Sequence, residues 1–357
     1  MRFHRLAIAS IRRETPDAVS IAFAVPAALR ETFAFTCGQY LTLRASVDGQ
    51  EQRRSYSISS GMDDGELRVA VKRVEGGRFS AFANTRLVAG GTIDVMAPAG
   101  RFGITPQPGA ARRFVAFAAG SGITPVISII RSVLAREPAS QFFLFYGNRS
   151  STSIIFKDAL EDLKDSAPGR LSVHHILSRE AQDIGLMNGR LDGARAAALM
   201  RIAGPPEAVD HVFLCGPLAM TAVIGPALEL LGIAPGRIHT EVFTPAAGGL
   251  AIRPAAVCVP DASAGGTKLA LRIDGVTHAI AMRPDETVLE AAERHGLDMP
   301  WSCRAGMCCT CRARLVAGAA TMDQNFSLES WELKAGFVLT CQLRPASPGL
   351  TIDFDAM

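Results

Sequence analysis

Hydrophobic and polar positions change their rhythm twice along the chain. Up to about residue 105 they alternate in short runs (LAIASI, AVSIAFAV, QYLTLRAS, RRSYSISS, ELRVAVKRV, TIDVMAP) separated by Gly, Asp and Pro. A period of two with regular turn signals predicts an antiparallel β-barrel. From Arg113 to about Thr244 solid apolar runs appear instead: FVAFAAG, QFFLFYGN, LSVHHILS, DHVFLCGP and IHTEVF. They alternate with helical stretches, STSIIFKDALEDLK and GPLAMTAVIGPALELLG among them. Strands apolar on both faces and joined by helices predict a parallel α/β sheet. Residues 245–266 are rich in Ala, Gly and Pro and read as a linker holding an isolated Cys258. Beyond Thr267, LALRIDGVTHAIAM predicts a hairpin turning at Asp274-Gly275. RPDETVLEAAERHG then predicts a short helix with Thr287 and Glu290 at capping-box spacing and Gly296 as its stop. No internal repeat is visible.

With 357 residues, two or three domains are expected. The formal net charge is +3, and no basic block with interleaved aromatics occurs, so nucleic acid is not an expected partner. Arginines interrupt the N-terminal stretch, so it does not read as a signal peptide. The longest nearly uncharged segment, Phe114 to Ile130, carries Gly-Ser-Gly and Thr-Pro in its middle, and reads as a strand, a turn and a helix start rather than a membrane span. A cytoplasmic protein with reduced thiols is expected, in which clustered cysteines signal metal or redox chemistry.

Four of the eight cysteines lie in CRAGMCCTC, residues 303–311. Cys303, Cys308 and Cys311 have the spacing C-x4-C-x2-C, and Cys341 follows in VLTCQL. That is the plant-type spacing for a 2Fe-2S cluster on four thiolates. A structural zinc site is the alternative, but it usually pairs two short C-x2-4-C units, and here the fourth cysteine stands alone. Cys309 breaks the spacing and is assigned no ligand role. The hairpin, capped helix and following β-rich CRARLVAG resemble the β-grasp fold of plant-type ferredoxins.

Arg54-Ser55-Tyr56-Ser57 forms an R-x-Y-S pattern, and VKRVEGGRFSAF follows, with glycines opening a helix whose free N–H groups suit a phosphate. Gly120-Ser121-Gly122 directly follows an apolar strand, with Thr124-Pro125 entering a helix, a strand–turn–helix context for a dinucleotide. Cys215-Gly216-Pro217 ends a later strand. These motifs, with MAPAGRF between them, resemble the ferredoxin–NADP reductase superfamily, and the whole chain resembles its oxygenase reductases with a C-terminal plant-type ferredoxin domain.

The resemblance implies an FAD-binding β-barrel over 1–105, an NAD(P)-binding α/β domain over 106–245, a linker over 246–266 and a 2Fe-2S ferredoxin domain over 267–357. It assigns the flavin to Arg54, Ser55, Tyr56, Ser57, Val71, Gly77, Arg78, Phe79 and Ser80, with FAD expected and FMN the alternative. It assigns the nicotinamide nucleotide to Gly120, Gly122, Thr124, Pro125, Cys215, Gly216 and Pro217. Asn148, Arg149, Ser178 and Arg179 follow two strands. An Arg beside hydroxyls suits a 2′-phosphate, and no acid ends the Gln141–Asn148 strand, so NADPH is expected over NADH. Ser57, Thr124, Cys215 and Glu241 are the candidate catalytic group, with Phe243 beside the flavin. His174 and His175 read as structural.

The implied path runs from NADPH through FAD and the cluster to a partner oxygenase, with Arg304, Met307 and Arg312 on the partner surface. The acceptor that the resemblance implies is a diiron acyl-CoA epoxidase, with a Rieske-type aromatic or steroid hydroxylase as the alternative. A redox-sensing binding protein with a vestigial flavin site is the reading from another class.

Overall fold

The computed structural model describes residues 2–243, 256–258, 267–283 and 285–356. They fall into two compact units, one within Phe3–Ala247 and one within Gly248–Met357.

The first unit opens with six antiparallel strands: β1 (Phe3–Thr15), β2 (Ala18–Ala24), β3 (Tyr40–Val47), β4 (Gln50–Ser57), β5 (Leu67–Lys72) and β6 (Thr92–Met96), in the order β4-β3-β6-β1-β2-β5. A bridge between Ile58 and Val69, with Ser59 N–H donating to the Arg68 carbonyl at 2.8 Å, joins the two outer strands and closes the barrel. Closure removes the edges an open sheet would expose. The inward positions, among them Leu6, Ile21, Leu41, Val69 and Val95, form the core. Arg68 is buried, yet fully met: its guanidinium donates to Glu66, Ser20 and Ser10 at 2.8–3.1 Å. Helix α1 (Arg78–Thr85) lies between β5 and β6 in the chain.

Five parallel strands follow: β7 (Arg113–Ala119), β8 (Gln141–Asn148), β9 (Leu171–Leu177), β10 (His211–Gly216) and β11 (Ile238–Val242), ordered β11-β10-β7-β8-β9. Successive residues of β7 serve opposite faces. Phe114 and Ala116 join the core under α2 (Ile123–Arg136) and α3 (Lys157–Ser166), while Val115 and Phe117 join the core under α4 (Gly193–Ala203) and α5 (Leu218–Leu230). Burial on both faces explains the unbroken apolar runs. The strand order reverses at β7, which lies between β8 and β10. The crevice beyond the carboxyl ends of strands at such a switch point is where open α/β sheets hold ligands. The helical reading of STSIIFKDALEDLK holds only from Lys157; a Ser150/Ser153 capping box forms a separate turn before it.

Among the described residues the second unit has eight short strands in two sheets: β12 (Ala256–Cys258), β13 (Lys268–Ile273), β14 (Val276–Ala281), β15 (Arg312–Ala317), β16 (Ala319–Met322), β17 (Phe337–Leu339), β18 (Leu343–Pro345) and β19 (Gly349–Asp353). The larger sheet is mixed, in the order β14-β13-β19-β15-β17, with β13 and β19 parallel. Helix α6 (Val288–Arg294) packs on it through Val288, Leu289, Ala291 and Ala292. Asp274 and Gly275 both take positive φ, 49° and 77°, as the hairpin turn requires. The Thr287/Glu290 capping box forms. The smaller sheet joins β12, β16 and β18. The linker reading of 246–266 is therefore corrected at 256–258, where the backbone pairs with Ala319–Thr321; the rest of that stretch lies outside the described residues. Backbone pairing with a remote strand leaves no trace in an Ala- and Pro-rich composition.

Candidate functional site

On β4 the side chains alternate as a strand demands. Arg54 is exposed, and its Nη1 donates to its neighbour's carbonyl at 2.7 Å. Ser55 shares a 3.1 Å hydrogen bond with Thr42. Tyr56 lies half-buried with its ring 5.7 Å from Phe79, and burial pushes its phenol well above the usual range. Ser57 is buried at the end of the strand.

Gly77 caps α1, after Gly76 at φ 69°. Ser80 holds this turn closed: its Oγ accepts from Val74 N–H at 3.1 Å and donates to the Gly77 carbonyl at 3.0 Å. The N–H groups of the first helical turn are left for an anion. Arg78 donates to Gln50 at 2.5 Å. Between this turn and the β3–β4 hairpin lies a cavity of about 360 Å³, lined by Val47, Asp48, Arg73, Gly76, Arg78 and Phe82 among others. Val71 and Phe79 belong elsewhere. At 0% and 1% exposure both side chains fill the barrel core, so neither presents a side-chain surface to a cofactor. Their apolar character already explains them as core.

At the sheet's carboxyl end, the turn after β7 has Gly120 at φ 53°, and Tyr146 Oη donates to its carbonyl at 2.8 Å. Gly122 is irreplaceable for a steric reason: a Cβ there would lie 2.1 Å from the Cys215 carbonyl oxygen. Thr124 is buried and donates to the Ser121 carbonyl at 2.9 Å, stabilising the turn, with Pro125 buried after it. A Cβ on Gly216 would meet the Met220 side chain at 2.8 Å and Ala119 Cβ at 3.1 Å.

Parallel pairing sets Cys215 directly beside Glu241. Ser57 Oγ reaches across from the barrel and donates to Glu241 Oε2 at 3.4 Å, linking residues 184 positions apart. Desolvation raises the Glu241 carboxyl to about 8, and the Ser57 hydrogen bond offsets this only in part. Burial, with the Glu241 charge added, pushes the Cys215 thiol far up, so it stays a neutral thiol and no thiolate nucleophile. Phe243 packs half-buried beside the α2 core.

Along β8 and β9, Asn148 is 8% exposed, its carbonyl accepts from Ser178 N–H at 3.0 Å and Oγ at 3.2 Å, and its Nδ2 lacks a hydrogen-bond partner. Arg149 and Arg179 are exposed and adjacent, joined by a 2.8 Å backbone hydrogen bond. The sequence shows no acid ending β8, but the fold supplies one from the next strand: Glu180 accepts from Ser151 N–H at 2.8 Å and Oγ at 2.9 Å. Sequence reasoning missed it because the two residues stand 29 apart and meet only through parallel pairing of β8 and β9. His174 stacks on Phe145 and His175 tilts against Tyr146, and burial lowers both imidazoles, in keeping with structural roles.

In the second unit the loop 303–309 bends through three left-handed residues, Arg304 (φ 54°), Gly306 (71°) and Cys309 (54°). This bending turns backbone N–H groups toward sulfur. Ala305 and Met307 donate to Cys303 Sγ at 3.3 and 3.4 Å, and Cys303 N–H donates to Cys308 Sγ at 3.4 Å. Gln342 Nε2 stands 3.7 Å from Cys341 Sγ. The thiols associate two by two, Cys303 with Cys308 and Cys311 with Cys341. In each pair one member is lowered, Cys303 to about 6, by its partner's S–H and nearby donors, while the other is raised. Two pairs of thiols, ringed by N–H donors, suit a two-iron centre. Cys309 lies apart, its Sγ donating to Ser327 at 3.0 Å.

The expected partner surface needs correction. Met307 is buried at 7% exposure, and Arg312 is half-buried, its guanidinium held by Glu332 at 2.9 Å and over Phe337 at 3.6 Å. Arg304 is exposed, resting 3.8 Å over Trp301 and ion-paired with Glu293.

Among the described residues no helix is long and apolar enough to cross a membrane. Three family models match: an oxidoreductase FAD-binding domain over residues 5–104, an oxidoreductase NAD-binding domain over 117–225, and a 2Fe-2S iron-sulfur cluster binding domain over 271–346. The chain is 44% identical to a component of the 1,2-phenylacetyl-CoA epoxidase of Escherichia coli (strain K12), over 99% of this chain and 98% of that protein. It is 35% identical to the ferredoxin reductase component of the 3-ketosteroid-9-alpha-monooxygenase of Rhodococcus rhodochrous, over 98% and 96%. Its fold is similar to that of phthalate dioxygenase reductase, with a TM-score of 0.59 at 24% identity over 99% of this chain and 98% of that one.

Proposed function

The chain belongs to the flavin and iron–sulfur reductases of oxygenase systems, and from that premise we propose that it draws hydride from NADPH and feeds single electrons to the diiron epoxidase of phenylacetyl-CoA. The coarser path is common to the family: a pyridine nucleotide reduces FAD, and FAD reduces a 2Fe-2S cluster. The bound cofactors supply the hydride acceptance and the change from two-electron to one-electron transfer. The chain's own residues bind, orient and tune.

In this reading Arg54 and the first turn of α1, with Arg78, neutralise the FAD pyrophosphate, and the adjoining cavity of about 360 Å³ takes the adenosine part, which FMN lacks. Tyr56 offers its ring to the flavin. Ser57 and Glu241, hydrogen-bonded at 3.4 Å, face the reacting ring, and Glu241 holds a proton up to about pH 8. The turn Gly120–Pro125 cradles the nucleotide pyrophosphate, while Cys215, Gly216 and Pro217 shape the nicotinamide floor. Arg149, Ser178 and Arg179 take the 2′-phosphate. Cys303, Cys308, Cys311 and Cys341 hold the cluster. The proposed division is a flavin barrel to 105, a nucleotide domain to 245 and a cluster domain from 267. The cytoplasm, which supplies NADPH and keeps thiols reduced, is the proposed compartment.

The observation that carries the hydride step is the Ser57–Glu241 contact, which joins flavin strand and nucleotide sheet at one point. What favours the epoxidase is the 44% identity over nearly the full chain. The 35% identity to the ketosteroid component supports a second reading, a Rieske-type hydroxylase as acceptor. Purified oxygenase components of both kinds, each supplied with this chain and NADPH, separate the two. Product formation from phenylacetyl-CoA at a rate at least tenfold above the steroid system is expected, and the reverse ranking overturns the proposal.

A further inference from the structure

We propose that Glu180 is a specificity-determining residue that weakens the grip on the nucleotide's 2′-phosphate by holding the phosphate's own hydrogen-bond donors. The inference rests on the NADPH reading above and goes beyond it.

The ends of β8 and β9 present Arg149, Ser151, Ser178 and Arg179 on one ridge. Such a set suits a phosphate monoester: two exposed guanidinium groups, hydroxyls, and a backbone N–H that starts a tight turn. Ser178 Oγ already donates to the Asn148 carbonyl at 3.2 Å. Ser151 N–H and Oγ are both directed to one atom, Glu180 Oε2, at 2.8 and 2.9 Å. A carboxylate oxygen accepting from an N–H and an O–H copies one oxygen of a phosphate.

Ser151 cannot serve Glu180 and a phosphate oxygen together, so a 2′-phosphate must displace the carboxylate before using these donors. The displaced carboxylate stays on a neighbouring backbone, and its charge opposes a dianion nearby. A ribose carrying only hydroxyls brings no such charge and need not displace Glu180. The arginines thus favour NADPH while Glu180 opposes it, and the native discrimination against NADH is narrow as a result.

The experiment titrates the holoenzyme with 2′,5′-ADP and, separately, with 5′-AMP, following the dissociation constants by calorimetry. Wild type is compared with Glu180→Gln, which removes the charge, and Glu180→Ala, which also removes the acceptor. The flavin absorbance of each protein confirms loading. Both variants are expected to bind 2′,5′-ADP about five- to tenfold more tightly, with 5′-AMP changed less than about twofold, and the NADPH/NADH ratio of kcat/KM should rise by a similar factor. If 2′,5′-ADP binds no better to either variant, while wild type still prefers it over 5′-AMP, the Glu180 role is overturned and the NADPH reading stands. If neither wild type nor variants distinguish the two probes, both fail. A preference that appears only in the variants supports the Glu180 role and overturns the NADPH reading.

Discussion

The cluster loop and the hydride site solve opposite problems. Three of the four cluster thiols come from nine consecutive residues, and the loop's backbone donates hydrogen bonds to their sulfurs. The proposed hydride site is assembled from residues 184 positions apart, and what Ser57 and Glu241 share is a buried junction that favours a neutral carboxyl. The loop lowers Cys303 and Cys341, each chiefly through its partner thiol, and raises Cys308 and Cys311, while the junction raises both a carboxyl and a thiol by desolvation. A site that must hold anionic sulfur on metal is rich in N–H donors. The proposed hydride site instead desolvates its carboxyl.

The sharpest break in this comparison is Cys341→Ser. It removes one thiolate of the second pair, and NADPH-driven reduction of a one-electron protein acceptor should fall more than about 100-fold as cluster absorbance is lost. Flavin bleaching by NADPH, watched by stopped flow, should slow less than about threefold.

Gly122→Ala breaks the other side. Its Cβ would stand 2.1 Å from a backbone oxygen, and backbone cannot yield as a side chain can. Destabilisation of the reductase unit by about 3 kcal/mol or more is expected, read as early flavin release on heating, with the cluster bands persisting to higher temperature.

Glu241→Gln sharpens the comparison through pH. The folded carboxyl keeps its proton to about pH 8, whereas its ordinary value is 4.5. Between those values the unfolded chain has lost a proton that the folded chain retains, so stability of the reductase unit falls as pH rises through that window. The variant should flatten this slope in urea unfolding series, slow flavin reduction about tenfold, and abolish a kinetic limb near pH 8. An unchanged limb would assign it to another group.

Arg179→Ala acts at the nucleotide's far end. Its expected effect is a rise of about tenfold in KM for NADPH with NADH nearly unaffected. Smallest is Arg304→Ala on the second unit. Losing an exposed cation–π contact and ion pair should cost no more than about 1 kcal/mol in unfolding and leave the cluster spectrum unchanged.

The same contrast governs what was legible in the residues alone. The 2Fe-2S domain was, because C-x4-C-x2-C is a local spacing that one loop must satisfy. Barrel and parallel sheet were too, since each imposes its own periodicity. The Asp274-Gly275 turn and the Thr287 cap carry their chemistry in adjacent positions. Glu180 on Ser151 was not legible, because β8 and β9 bring together residues 29 apart. Nor were the left-handed Arg304 and Cys309, residue types that rarely signal such a bend. Ser80 and Thr124 were read for a cofactor, yet their hydroxyls close their own turns, a competition that composition does not reveal. Met307 and Arg312 are expected on a partner surface by their nearness to the cluster loop, but tertiary packing buries Met307 and half-buries Arg312.

The most direct test of the central claim is an anaerobic titration of the full chain with NADPH, followed by absorbance and low-temperature EPR. The account predicts bleaching of the flavin bands together with an EPR signal from a reduced 2Fe-2S cluster approaching one spin per chain. Bleaching of the flavin with no cluster signal, in protein that carries its full complement of iron, would contradict it.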